Sequence, residues 1–274
     1  MPVIATNTAA NSAVRYLNKN ADSQSSSLSK LASGSRISQA SDDAAGLAIS
    51  TRLSSDVATL NQASTNSTNA IAVLQTADGG ASNISDILQR MKVLATESAS
   101  GTVTDTERSY IDEEFSSLTS QIDTIASGTR FNSQSLLTSN NMFSSGVSVM
   151  VGSSSTDTIN IKLTGLDATT LGVKTLDVTS QSNANTALTA LDSAIDTVSN
   201  ARASIGAQES QFQFSSDSIS TQVENLESAK SSISDVDVAS EEAKLASSQV
   251  MVQAAVAAAS SANSLTQNLL KLMQ

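Results

Sequence analysis

The chain has 274 residues and a formal net charge of -11, with 15 Lys and Arg against 26 Asp and Glu, no His, Cys or Trp, and one Pro. A nucleic-acid partner is excluded because phosphate binding needs clustered Lys and Arg, and an anionic membrane surface is disfavoured for the same reason. Catalysis by a His base, a Cys nucleophile or a thiolate-bound metal is excluded with the residues themselves, and the remaining acids are scattered, so no catalytic, metal or cofactor site is expected.

Aromatics make up 3% of the chain, while Ser and Thr together exceed a quarter of it. Small residues let helices approach closely but bury little area each, so stability has to come from many repeated contacts, as in an assembly. The start, Met1-Pro2-Val3-Ile4, has no basic segment followed by an apolar one, so no cleaved secretory signal is expected and export would use another route.

Taken in chain order, Val3, Ala10, Val14, Leu17, Ala21, Leu28 and Leu31 fall on alternating three- and four-residue steps, with Asn7 and Gln24 the polar exceptions, a heptad seam that fits either a two-helix core or an assembly surface. Ser33-Gly34-Ser35 interrupts it. A second helix is expected from Ser41-Asp42-Asp43, with Ser41 as cap and the two carboxylates at the positive end of the helix dipole. Leu53, Val57, Leu60, Ile71 and Leu74 keep one phase, and Leu74, Ala77, Ala81, Ile84, Leu88, Met91 and Ala95 continue in another, so the helix is expected to be interrupted around Gly79-Gly80. That glycine pair lacks the spacing, lysine and preceding strand of a phosphate-binding loop.

Thr104-Asp105-Thr106-Glu107 is a capping-box pattern, followed by Ile111, Phe115, Leu118, Ile122 and Ile125 and by Gly128 where a left-handed cap would fall. Period two then takes over: Val147, Val149 and Val151, a polar turn over 152–157, and Ile159, Ile161 and Leu163 read as a β-hairpin at about 145–165. Its hydroxyl-rich surface makes Ser144, Ser145, Ser148, Ser153, Ser154 and Ser155 candidates for attached sugars.

From Asn185 the helical period returns through Leu188, Leu191, Ile195, Val198, Ile205, Phe212, Ile219, Val223, Leu226 and Ile233, a helix too long to stand without partners. Beyond it no charged residue occurs between Lys244 and Lys271, while Leu245, Val252, Ala255, Ala259, Ala262, Leu269 and Met273 form a seam. The intervening Ser, Asn and Gln make this stretch too polar for a bilayer. An apolar face opposite a Ser/Asn/Gln face suits the inside of a protein assembly. The fold class expected is mainly α: long antiparallel helices forming a coiled-coil terminal domain, with a helical bundle and a small β-hairpin.

Ser29-Lys30-Leu31-Ala32-Ser33-Gly34-Ser35-Arg36-Ile37 followed by Ser41-Asp42-Asp43-Ala44-Ala45-Gly46-Leu47-Ala48-Ile49 resembles the N-terminal signature of bacterial flagellins. Leu88-Gln89-Arg90, Thr129-Arg130-Phe131-Asn132, Ala201-Arg202-Ala203-Ser204-Ile205-Gly206-Ala207 and the closing Leu269-Leu270-Lys271-Leu272 continue the resemblance in order. It implies an inner domain of residues 1–43 with 231–274, lining a hollow filament, and an outer helical domain of residues 44–230, with no variable outer domains. It further implies a homo-oligomer of many copies, secreted and extracellular in a flagellar filament that drives swimming. The partners it implies are the type III export apparatus, a secretion chaperone, and the filament cap and junction proteins. A host Toll-like receptor is implied at the positions matching its contact face, Arg90, Leu94 and Glu114. Assembly contacts are expected at Val3, Val14, Leu17, Leu28, Leu31, Leu245, Val252, Ala255, Ala259, Ala262, Leu269 and Met273. The rival readings are a hook-filament junction protein and a secreted coiled-coil effector or adhesin.

Overall fold

The computed structural model describes residues 6–272, with the side chains of 265, 266 and 269–272 outside the description. The helices are α1 (Thr8–Ser33), α2 (Ala44–Ser98), α3 (Asp105–Gly128), α4 (Gln181–Ser234) and α5 (Val238–Leu272). Four short strands, β1 (Arg130–Phe131), β2 (Gln134–Ser135), β3 (Val147–Met150) and β4 (Thr158–Ile161), lie between α3 and α4. The chain divides into two compact units, residues 1–56 with 225–274 and residues 57–224.

The first unit is built on α1 and α5, which pack antiparallel. Asn7 starts α1 by accepting from the Ala10 amide at 3.0 Å, and Gly34, in the left-handed region at φ 69°, ends it. The chain is pinned there: the Arg36 amide donates to the Ser234 carbonyl at 2.6 Å and the Val236 amide to the Gly34 carbonyl at 3.1 Å. Asp43, and not Ser41, caps α2, its carboxylate accepting from the Gly46 amide at 2.9 Å. Asp42 is held one turn earlier by the Ser38 and Gln39 amides, and those bonds draw its carboxyl below the usual range. A side chain at Gly46 would meet the Asp43 carboxylate 2.5 Å away, so only glycine lets this cap close over the helix start.

The second unit has a core drawn from α2, α3, α4, the hairpin and the strap after it, with Leu74, Leu88, Met91, Phe115, Ile122 and Phe212 fully covered. Contrary to the expected interruption, α2 runs unbroken through Gly79-Gly80. Its buried stripe is a continuous heptad, Leu60, Ala63, Ser67, Ala70, Leu74, Ala77, Ala81, Ile84, Leu88, Met91 and Ala95. Gly80 serves close approach instead, since a Cβ there would meet Thr129 at 2.4 Å and Leu137 at 2.8 Å, whereas Gly79 faces open space.

The capping box of α3 forms as the sequence indicates, with the Thr104 amide donating to Glu107 at 2.7 Å and the Glu107 amide to the Thr104 hydroxyl at 3.4 Å. Gly128 does not take the left-handed cap; α3 ends on extended Thr129, whose amide reaches the Ile125 carbonyl at 2.8 Å. Arg108, itself buried, holds the α2–α3 turn by donating to the carbonyls of Ser98 at 2.8 Å and Ser100 at 2.9 Å. The β1–β2 pair, unforeseen from sequence, turns through Asn132 and Ser133 at φ 46° and 66°. The hairpin β3–β4 is antiparallel with Val147 opposite Ile161 and Val149 opposite Ile159. No helix among the described residues is long and apolar enough to cross a membrane.

Candidate assembly surfaces

In the first unit, the side of α5 that faces α1 is a regular heptad of Glu241, Leu245, Ser248, Val252, Ala255, Ala259 and Ala262, all buried or half-buried. This is the stripe read from sequence up to Ala262, extended toward the helix start by Glu241 and filled between Leu245 and Val252 by Ser248. Across it, α1 presents Asn7, Ala10, Ala13, Leu17, Asn20, Gln24, Ser27 and Leu31. Leu17 and Leu31 therefore sit in the two-helix contact, whereas Val14 and Leu28 are 46% and 58% exposed and face away from it. The seam read from sequence is split between two faces of one helix. Val3 and Met273 lie outside the described residues, as does the side chain of Leu269.

The contact carries hydrogen bonds at both ends. The Asn7 amide donates to the Ala262 carbonyl at 2.9 Å, and the Ser27 hydroxyl donates to the Glu241 carboxylate at 2.7 Å. Lys244 reaches the other oxygen of Glu241 at 2.9 Å. The bond from Ser27, then that from Lys244, draws the Glu241 carboxyl below its usual value, with the Lys30 charge adding to them. Packing beside this pair is incomplete: a cleft of about 510 Å³ opens over Ser23, Ser27, Lys244, Ser248 and Met251.

The other faces of these helices are mixed, with large apolar side chains standing among exposed polar ones such as Arg15, Lys19, Ser247 and Gln253. Tyr16 on α1 is 64% exposed, and Val250, Met251 and Val256 on α5 are exposed. The expected opposition of an apolar face and a Ser/Asn/Gln face is blurred on α5: its outward side mixes Ser247, Gln249, Gln253, Ser260 and Ser261 with the exposed apolar residues, and Glu241 and Ser248 lie inside the contact. These four residues were missed in the sequence; for the three on α5 the signal available was the lack of any charge from residue 245 to 270, which already removes the charged face of an ordinary surface helix.

In the second unit, Arg90 pairs with Glu114 at 2.6 Å on the surface, while Leu94 is only 2% exposed and belongs to the core. Val93, 56% exposed, is the apolar side chain that this face presents instead. Ser144, Ser145, Ser148, Ser153, Ser154 and Ser155 are all exposed. Ser144 donates to the Asn141 carbonyl at 2.8 Å and Ser148 to Asn160 at 2.6 Å.

Residues 4–142 match the family described as the bacterial flagellin N-terminal helical region, and residues 188–273 the corresponding C-terminal helical region. A flagellin of Halalkalibacterium halodurans is 34% identical over 99% of this chain and 100% of its own length. The flagellar filament 33 kDa core protein of Treponema phagedenis is 34% identical over 90% of this chain and 91% of its own. Among solved structures, Bacillus cereus flagellin is similar with TM-score 0.52 at 30% identity, covering 61% of this chain and 94% of that one. A Vibrio parahaemolyticus protein described as flagellar hook-associated, 17% identical, has TM-score 0.59 over 71% of this chain and 100% of its own, and shares the fold. With both terminal regions matched and full-length relatives of the same kind, the chain belongs to the bacterial flagellin family.

Proposed function

We infer that this protein is the structural subunit of a flagellar filament, polymerising through its terminal helices and transmitting rotation produced elsewhere. The observation that carries the reading is the set of large apolar side chains on the outward faces of α1 and α5: Val14, Tyr16, Leu28, Val250, Met251 and Val256. Their contact with water is unfavourable by roughly 25 cal/mol per Å², and neighbouring copies remove it. Leu17, Leu31, Leu245, Val252, Ala255, Ala259 and Ala262 support assembly indirectly, by holding the pair together.

In this reading residues 1–43 and 231–274 form the inner domain around the filament channel and residues 44–230 the outer one. The subunit is exported unfolded by the type III apparatus with a secretion chaperone, adds beneath the cap beyond the junction proteins, and functions outside the cell. The Arg90–Glu114 pair is the surface available to a Toll-like receptor, and the exposed hairpin serines are the sites available to sugars. Purified monomer added to sheared filament seeds and followed by electron microscopy tests the reading. Long filaments are expected; monomer that never elongates seeds refutes it, and closure after one short ring favours a junction protein.

A further inference from the structure

The second unit carries two features that its own core leaves unmatched. Phe214 on α4 is 74% exposed, more than any other large apolar side chain among the described residues. It stands clear of the helix surface around it, where Ser210, Gln211, Asp217 and Ser218 are also exposed. Elsewhere a groove of about 330 Å³ lies between α2 and the β3–β4 hairpin. Its floor is apolar, with Val73 and Phe143 nearly buried, Val149 half-buried and Met150 40% exposed, and its α2 side is edged by Asn66 and Asn69. Its two walls are joined at one point, where the Asn66 side-chain amide donates to the Met150 carbonyl at 3.1 Å and ties α2 to the end of β3.

A lone exposed aliphatic requires no partner, but an aromatic ring and an unfilled apolar groove on one chain are complementary in kind. A ring buries about 150–250 Å² when covered, and a thioether such as that of Met150 adapts to an aromatic edge. Phe214 is not among the residues lining the groove, so the chain does not fill it with its own ring. We propose that Phe214 of one copy seats in the α2–hairpin groove of the next copy. The occupant is a second copy because the chain belongs to a family of filament proteins and because the two features differ. A contact joining unlike patches is heterologous and continues from copy to copy, whereas a self-complementary patch closes a dimer. The hydroxyl, amide and carboxylate side chains around Phe214 then meet the Asn66, Asn69 and Ser148 rim, a polar collar around an apolar centre.

The inference rests on the filament reading and is tested apart from it. The natural chain has no cysteine, so Phe214→Cys and Asn69→Cys can be made in separate proteins, mixed, assembled on seeds and treated with a short thiol-to-thiol cross-linker. Linked chains are expected only when both variants are present. A Phe214→Ser protein, whose core is untouched, should elongate seeds with a critical concentration raised about tenfold or more. Wild-type elongation together with no mixed cross-link and normal elongation by Phe214→Ser overturns this contact and leaves the filament reading standing. Cross-linking of Phe214→Cys to itself also overturns it, since that contact would be isologous. Wild-type protein that fails to elongate seeds refutes both.

Discussion

Ser27→Ala isolates the polar pair between α1 and α5. The Ser27 hydroxyl is buried and donates to a carboxylate whose side chain is 9% exposed, at 2.7 Å. Hydrogen bonds to charged groups contribute about 1.5–3 kcal/mol. Lys244 is 64% exposed, so its bond to Glu241 adds only about 0.5 kcal/mol, and water at the adjoining cleft screens the carboxylate as well. The expected loss on Ser27→Ala in assembled protein at neutral pH is therefore about 1–2 kcal/mol. The Glu241 carboxyl titrates below its ordinary 4.5 in the folded state, so it binds fewer protons there than when unfolded. Its stabilisation is complete above 4.5 and is lost as pH falls through the depressed folded value. Asp42, Glu107 and Asp177 are also depressed, so acid weakens every variant and the informative quantity is the gap between them. Filaments of wild type, Ser27→Ala and Glu241→Gln are to be titrated with acid, following release of monomer by sedimentation and helix content by circular dichroism. The gap between wild type and Ser27→Ala should narrow below pH 4.5, and Glu241→Gln should have the shallowest dependence. A gap of constant size from about pH 7 to about pH 3 refutes the charged-pair reasoning.

Val252→Asp sets a carboxylate against the α1 contact and should abolish seed elongation while leaving the thermal transition of the second unit in place; elongation at the wild-type rate contradicts the packing assigned to that side of α5. Phe212→Ala removes a fully buried ring and should lower monomer stability by about 3–5 kcal/mol in urea unfolding. Arg108→Met strips the buried Ser98 carbonyl and the half-buried Ser100 carbonyl of their donor, and a loss of about 1–3 kcal/mol with faster amide exchange over residues 98–104 is expected. Arg90→Ala breaks an exposed pair, so stability should change by less than about 1 kcal/mol while binding to a receptor ectodomain falls; unchanged binding counts against that face.

What the sequence displayed clearly was local chemistry with high contrast. Thr104 and Glu107 announce a helix start because their side chains satisfy each other's backbone, and alternating valines and isoleucines announce the hairpin whatever surrounds it. The stripe on α5 was legible because Leu245 and Val252 set a phase that the alanines then continue. On α1 the phase was read only in part: Asn7, Leu17, Gln24 and Leu31 lie in the contact as their spacing indicates, but Val14 and Leu28 dominate any hydrophobic count, and Asn20 and Ser27 take the positions beside them because α5 offers small partners and a carboxylate. On α2 the stripe from Leu74 to Ala95 was legible, but the same lack of contrast hid its first half, since Ala63, Ser67 and Ala70 occupy it and Gly79-Gly80 looked like punctuation. Ser41 and Asp43 are both capping residues, and the choice fell to the one whose carboxylate reaches Gly46. Leu94 has the sequence environment of a surface helix, and only the placement of α2 in the bundle buries it.

The α1–α5 pair departs from the usual arrangement of a soluble coiled coil. Ser27, Glu241 and Ser248 are buried in the contact, while Val14, Leu28, Val250 and Val256 are exposed. Polar contacts at a helix seam specify register at the expense of stability, and alanines bury little area, so the pair by itself has a small margin against the entropy of ordering two long helices. The margin is supplied when neighbours cover the outward apolar residues. Dilute monomer should therefore lose α1 and α5 to limited proteolysis while residues 57–224 survive as a resistant core with Phe115 and Phe212 still buried. The same protease applied to filaments should spare α1 and α5. Equal protection of α1 in dilute monomer and in filament would mean that the pair is stable alone, and the outward apolar faces would then need some purpose other than assembly.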